Sequence, residues 1–167
     1  MQIFLPSDNL HECAKALDDK RLNKIIVESA QIASTAIWIN DCDLAETLVN
    51  ENKIYLPTHE YHPLCKWASH SYLNYNFTTN YCLFLCMEYS MRFHKKHTTF
   101  SKWPFLSMVL PTVFKDFNQT NPINATTNHK HITDIYEAYR LELLYKWKTQ
   151  KTKPVWTNRK QPEWFLK

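Results

Sequence analysis

Glycine is missing altogether: none of the 167 residues is glycine. Phosphate-cradling P-loops, dinucleotide-binding fingerprints and nucleophile elbows all need glycine for close backbone approach or for positive φ. None is present in standard form, and glycine-dependent helix-hairpin-helix DNA-binding hairpins are disfavoured for the same reason. Side chains and helix ends must therefore carry the chemistry. The five cysteines (Cys13, Cys42, Cys65, Cys82, Cys86) are odd in number and contain no CxxC pair, which disfavours a disulfide framework. No apolar run approaches the ~20 residues of a membrane span, and the first residues do not read as a secretory leader. A reduced, intracellular location without membrane contact is expected. Cys82 and Cys86, four apart on an apolar helix, read as core thiols.

What is present suits one domain over residues 1–167, with 44% hydrophobic and 14% aromatic residues available for a core. The formal charge of +4 is unevenly spread. Residues 140–167 hold eight Lys or Arg against two Glu, a net +6, while residues 1–139 sum to −2. A basic segment bearing Trp147, Trp156 and Trp164 is a footprint for phosphate contact and base stacking, although a solvated basic tail pinned by its tryptophans has the same composition.

The periodicities predict an all-α fold. Ser7 or Asp8 is expected to cap a short helix over residues 9–17. A long helix follows over about residues 18–40, with Leu22, Ile25, Ile26, Ala33 and Ile37 on its buried side. Residues 41–60 read as a loop with room for one short helix. Pro63 suits the first turn of a helix, and the apolar stretch over residues 78–97 reads as a central helix. Residues 97–130, broken by prolines, read as loop-rich. A last helix is expected from about residue 132, capped by Thr133, before a tail interrupted by Pro154 and Pro162. No segment alternates as a sheet strand would.

Two constellations bear on chemistry. His59, His62 and His70 lie near Cys65, but no second ligand pair has standard zinc spacing. No metal or other cofactor is expected, and His62 and His70 suit capping, core hydrogen bonds or phosphate contact. The second constellation is the stretch "ALDDKRLNKIIVESAQIAST". Arg21, Lys24, Glu28, Gln31 and Thr35 fall within about an 80° arc of one helix. Lys24 and Glu28 form an i,i+4 pair, which on a solvated surface contributes only about 0.2–0.5 kcal/mol. A carboxylate beside a cationic groove is the alternative reading.

The segment "LDDKRLNKIIVES" resembles the pyrimidine-dimer DNA glycosylase family, of the phage endonuclease V type. Leu17, Asp19, Leu22 and Glu28 match its spacing, with Arg21 where the family has histidine and Val27 where it has arginine. Family members are small, all-α and basic, and end in an aromatic and basic tail, like "PVWTNRKQPEWF" here. The chain also resembles uncharacterised proteins of phages and large DNA viruses. The family resemblance implies a DNA repair enzyme with base-excision activity, and AP-lyase activity beside it, acting on double-stranded DNA. Glu28 would be its catalytic carboxylate, with an α-amine as nucleophile. Gln2 is large and keeps Met1 in place, so that amine would be Met1's. A free α-amine, with a reference pKa of about 7.7–8.0, is the better neutral nucleophile at pH 7 than a lysine near 10.4, which favours Met1 over Lys24 beside Arg21. Lys153, Arg159 and Lys160 would hold phosphates, and Trp156 would wedge where a base leaves the stack. Two other classes are open on these residues: a non-enzymatic nucleic-acid-binding module, and a hydrolase or transferase of free nucleotides built on residues 59–75.

Overall fold

In the computed structural model, residues 1–166 are described, and they contain seven α-helices and no strand. The all-α expectation is met. Helix α1 spans Leu10–Ala16, α2 Asp19–Asn40, α3 Cys42–Asn50, α4 Pro63–His70, α5 Tyr72–Phe93, α6 Trp103–Ser107 and α7 Ile135–Thr149. Two local expectations are corrected. Asn9, not Ser7 or Asp8, caps α1, accepting from the amides of His11 and Glu12. Asp134, not Thr133, caps α7 through the amides of Tyr136 and Glu137. In each case the capping side chain is the one immediately before the first helical turn, where its oxygen reaches the orphan amides.

Helices α2 and α5, at 22 residues each, are about 33 Å long at 1.5 Å per residue and form the central pair, with α1, α4 and α6 packed on α5 and α3 and α4 on α2. Leu22, Ile25, Ile26, Ala33 and Ile37 are all buried in one apolar cluster that draws residues from every α-helix. The N-terminal residues Ile3, Phe4 and Leu5 run extended through this cluster, and Tyr81 donates its hydroxyl to the Phe4 carbonyl at 2.6 Å. Helix α7 meets the rest through long side chains. Tyr139 stands edge-on to Phe4 at 6.1 Å, Arg140 donates to the Pro6 carbonyl at 2.7 Å, and the Trp147 indole donates to Asp18 at 2.8 Å. These spacers leave a cleft between the start of α2 and the end of α7.

The tail is fastened to the helices. Asp19 N–H donates to Val155 O at 2.8 Å, and Thr157 donates its amide and its hydroxyl to the Asp19 carboxylate. Asn158 Nδ2 donates to Arg92 O at 2.8 Å. Beneath them Arg92, 1% exposed, donates to Glu88, to Asp19 and to the carbonyls of Lys15 and Leu17. A buried guanidinium needs most of its donors satisfied, and here α1, α2 and α5 share that task. Lacking glycine, the chain fills its left-handed positions with Asn52, His59, His94 and Asn158, at φ 53–56°. Asn and His are among the residues that tolerate this region best. His94 ends α5 in that way.

Candidate functional site

The polar arc of α2 sinks as it runs. Lys24 is exposed, Glu28 and Gln31 are half-buried, and Thr35 is fully buried. The Thr35 hydroxyl accepts from Thr58 N–H at 3.0 Å and lies 3.1 Å from Thr58 O, tying the loop before α4 to α2. Glu28 is therefore no free surface carboxylate: its side chain is 13% exposed against 68% for Lys24, whose Nζ stands 3.5 Å from Oε1. Its Oε2 accepts from the backbone N–H of Gln2 at 2.9 Å. That bond is set by the buried extended run that follows it, residues 3–5, which carries the chain start across α2. Bond lengths alone then place the Met1 amino nitrogen within about 7 Å of the carboxylate.

His62 borders the same place. It caps α4, its Nδ1 accepting from Leu64 N–H at 3.2 Å, so that Nε2 is the free ring nitrogen. Cys65, one turn further along α4, touches the Met1 sulfur at 3.5 Å. Burial pushes the His62 imidazole below its ordinary value, the positive Met1 amine and His59 push it the same way, and Glu28 pulls it back. His62 is accordingly neutral at pH 7. Burial drives the Cys65 thiol up to about 11 against the opposing pull of the terminal amine and Thr35, so it is protonated and a poor nucleophile at neutral pH.

Arg21, Lys24 and Glu28 are thus brought together with Gln2 in the lining of one cleft, while Met1 and His62 lie outside that lining. The cleft has a volume of about 270 Å³, and Lys20, Arg21, Lys24 and Lys146 surround its one acidic side chain, Glu28. Arg21 is fixed by bonds of 2.9 Å to both Asp18 and Gln150 and lies over the Trp147 ring at 5.9 Å. Lys146 reaches in from α7, also pairing with Glu142 at 3.2 Å. Lys20 and Lys146 were missed in the sequence. Lys20 lies outside the arc of Glu28, and Lys146 meets the cleft only through the tertiary fold.

The other candidates lie elsewhere. His70, at the opposite end of α4, is exposed and 3.8 Å from Asp116. Lys153 and Lys160 are exposed, with no ion pair among the described residues. Lys160 lines a second groove, about 590 Å³, together with Lys15, Arg140 and Arg159. Two residues of the tail are engaged within the protein. Arg159 is engaged by Glu88 through Nε and Nη2, at 2.8 and 2.9 Å, because a buried carboxylate takes the strongest donors within reach. Trp156 donates its indole N–H to Ala16 O at 3.0 Å and packs on Trp147 and Phe165. It pins the tail to the helices. Trp164 stacks on Trp147 at 5.5 Å. Cys82 and Cys86 are buried thiols, as expected.

Among the described residues no three His, Cys, Asp or Glu side chains are grouped to hold a metal ion, and no helix is long and apolar enough to cross a membrane. No family model matches the chain, and neither does any curated protein or solved structure.

Proposed function

We propose that the chain is an intracellular DNA base-excision enzyme, a glycosylase with AP-lyase activity acting on damaged or modified pyrimidines in duplex DNA, and that the Glu28 cleft is its active site. The observation that carries this reading is the 2.9 Å bond from Gln2 N–H to Glu28 Oε2. It holds the residue that follows the terminal amine against a carboxylate, in a cleft whose other charges are cations.

Lys20 and Lys24 hold the phosphates flanking the target nucleotide, Arg21 keeps the wall of the cleft in place through Asp18 and Gln150, and Lys153 and Lys160 extend the track along the tail. The target base leaves the stack, at a cost of a few kcal/mol. The Met1 amine gives its lone pair to C1′ as the glycosidic bond breaks, and that bond's electrons leave with the base, which takes up a proton. Loss of the ammonium proton and opening of the C1′–O4′ bond give an imine. Glu28 stabilises positive charge at the sugar, then removes a C2′ proton so that the 3′ phosphate departs. Lys24, 3.5 Å from Glu28, is the alternative amine.

The test is borohydride reduction during incubation with a duplex carrying one abasic site, followed by peptide mapping. An adduct at Met1 or Lys24 is expected, and acetylating the terminal amine should remove the former. No adduct, together with full activity of Glu28→Gln, would overturn the lyase reading and leave a binding module.

A further inference from the structure

Arg140 differs from the other arginines of the chain. Arg21 is paired with Asp18, Arg92 with Glu88 and Asp19, and Arg159 with Glu88. Arg140 has no acidic partner among the described residues. Only its Nε is engaged, donating to the Pro6 carbonyl at 2.7 Å, a neutral acceptor. Its two Nη groups bond to no described residue, and both stay open to solvent although the residue as a whole is half-buried. One bond thus holds the guanidinium in place and leaves the far side of its donor fork unused.

Pro6, whose carbonyl holds that Nε, belongs to the wall of the groove of about 590 Å³, so the guanidinium stands at that wall. The charged residues lining the groove are Lys15, Arg140, Arg159, Lys160, Glu12 and Glu163. Lys15 and Glu12 pair with each other at 3.0 Å, and Arg159 is taken by Glu88. Glu163 is exposed, where water and salt screen it. Arg140 from α7 and Lys160 from the tail are left as the unmatched cations of one groove. A carboxylate presents two oxygens in one plane, which a single arginine fork can satisfy. The tetrahedral oxygens of a phosphate leave acceptors over for a cation on a second element. Pro6, Pro162 and Trp164 add apolar wall, and the volume falls within the roughly 300–1,000 Å³ of organic-ligand sites, which is room for the group that carries the phosphate.

We propose that this groove is a phosphate site, in which the Arg140 fork and the Lys160 ammonium hold one phosphate of an organic phosphate, either a nucleotide monoester or a backbone diester of DNA. The assignment goes beyond the Glu28 cleft and does not depend on that cleft being catalytic.

The experiment follows the Arg140 Nε–H by nitrogen-edited NMR while thymidine 5′-monophosphate, a short undamaged duplex or acetate is added separately at constant ionic strength. The monophosphate, the duplex or both should shift it, and acetate at the same concentration should not. A shift with the duplex assigns the phosphate to the DNA backbone, a shift with the monophosphate alone assigns it to a free nucleotide, and the site stands in either case. Arg140→Gln should weaken binding of the probe that shifts Arg140 by about tenfold or more, the loss of hydrogen bonds between charged groups. Lys160→Gln, at an exposed position, should weaken it about threefold. No shift with either phosphate, or an equal shift with acetate, overturns the proposal. So does either variant, folded, that binds the probe as tightly as the parent. If Arg140→Gln does not fold, the wild-type shifts and Lys160→Gln decide. The borohydride result bears on the Glu28 cleft alone, so the two readings fail separately.

Discussion

Arg159 closes a two-bonded fork on Glu88, with Nε 2.8 Å from Oε1 and Nη2 2.9 Å from Oε2. Arg92 approaches the same carboxylate from its own helix, Nε to Oε1 at 2.7 Å. One acid, fully buried, therefore joins the tail to α5, and a residue that charge alone would assign to DNA is engaged inside the protein.

Arg159 and Lys160 should separate cleanly as single variants. Arg159→Ala removes two charge-assisted bonds from a buried carboxylate that keeps Arg92, so unfolding free energy should fall by about 1–3 kcal/mol. Lys160→Ala should leave stability unchanged but reduce the slope of log K against log salt for duplex DNA by roughly 0.9, the share of one phosphate contact. Denaturant titrations and binding over a salt series read both. A stable Arg159→Ala protein with a reduced slope would put that guanidinium back on DNA.

Glu28→Gln keeps an oxygen acceptor for Gln2 N–H and removes the charge. Duplex binding should survive while turnover falls about 10²–10⁴-fold, the span of positioned acid–base catalysis. Single-turnover kinetics on a duplex with one lesion measures it. Full turnover, with a stability loss under about 1 kcal/mol, is the result expected of a mere ion-pair partner of Lys24.

Acid should loosen the tail. Burial drives the Glu88 carboxyl up, but bonds from Arg159 and Arg92 outweigh it and hold it below its ordinary 4.5. Burial likewise raises Glu142, and His129, Asn128 and Lys146 outweigh it. A carboxyl depressed by folding contributes stability that is complete above its unfolded value and is lost as pH falls through the folded one. Stability should hold from neutral pH down to about 4.5 on the account of these two groups, then decline. The urea midpoint followed downward in pH tests this, and Glu88→Gln should flatten that limb.

Trp156→Phe keeps an aromatic ring against Trp147 and loses the indole bond to Ala16 O. The expected cost is about 0.5–1.5 kcal/mol of stability, with duplex affinity unchanged at fixed salt. A wedge residue would instead lose affinity for a flipped nucleotide while stability held.

The parts legible in the sequence were those written in local spacing. The apolar repeat of Leu22, Ile25, Ile26, Ala33 and Ile37 marked the buried side of α2, Pro63 marked the first turn of α4, and the arc from Arg21 to Thr35 marked the wall that holds Glu28. The rest depends on partners far apart in the chain. Glu88 and Arg159 are 71 residues apart, and Arg21 and Gln150 are 129 apart, so neither pairing leaves a periodic trace. For the same reason the tail's charge was visible while its internal use was not. His62 was a candidate cap by its place before Pro63, but its closeness to the Met1 amine required the buried run of Ile3 to Leu5.

The want of glycine reaches beyond the folded state. Asn52, His59, His94 and Asn158 hold φ of 53–56° with a Cβ in place, a conformation that generally costs about 1–2 kcal/mol and that Asn tolerates better than most residues. Against this, a chain without glycine has fewer conformations open to it when denatured. Less entropy is then gained per residue on melting. Since the shift in Tm is the free-energy change divided by that entropy, a substitution of given energetic cost should move the melting temperature of this protein further than in a glycine-rich protein of equal length.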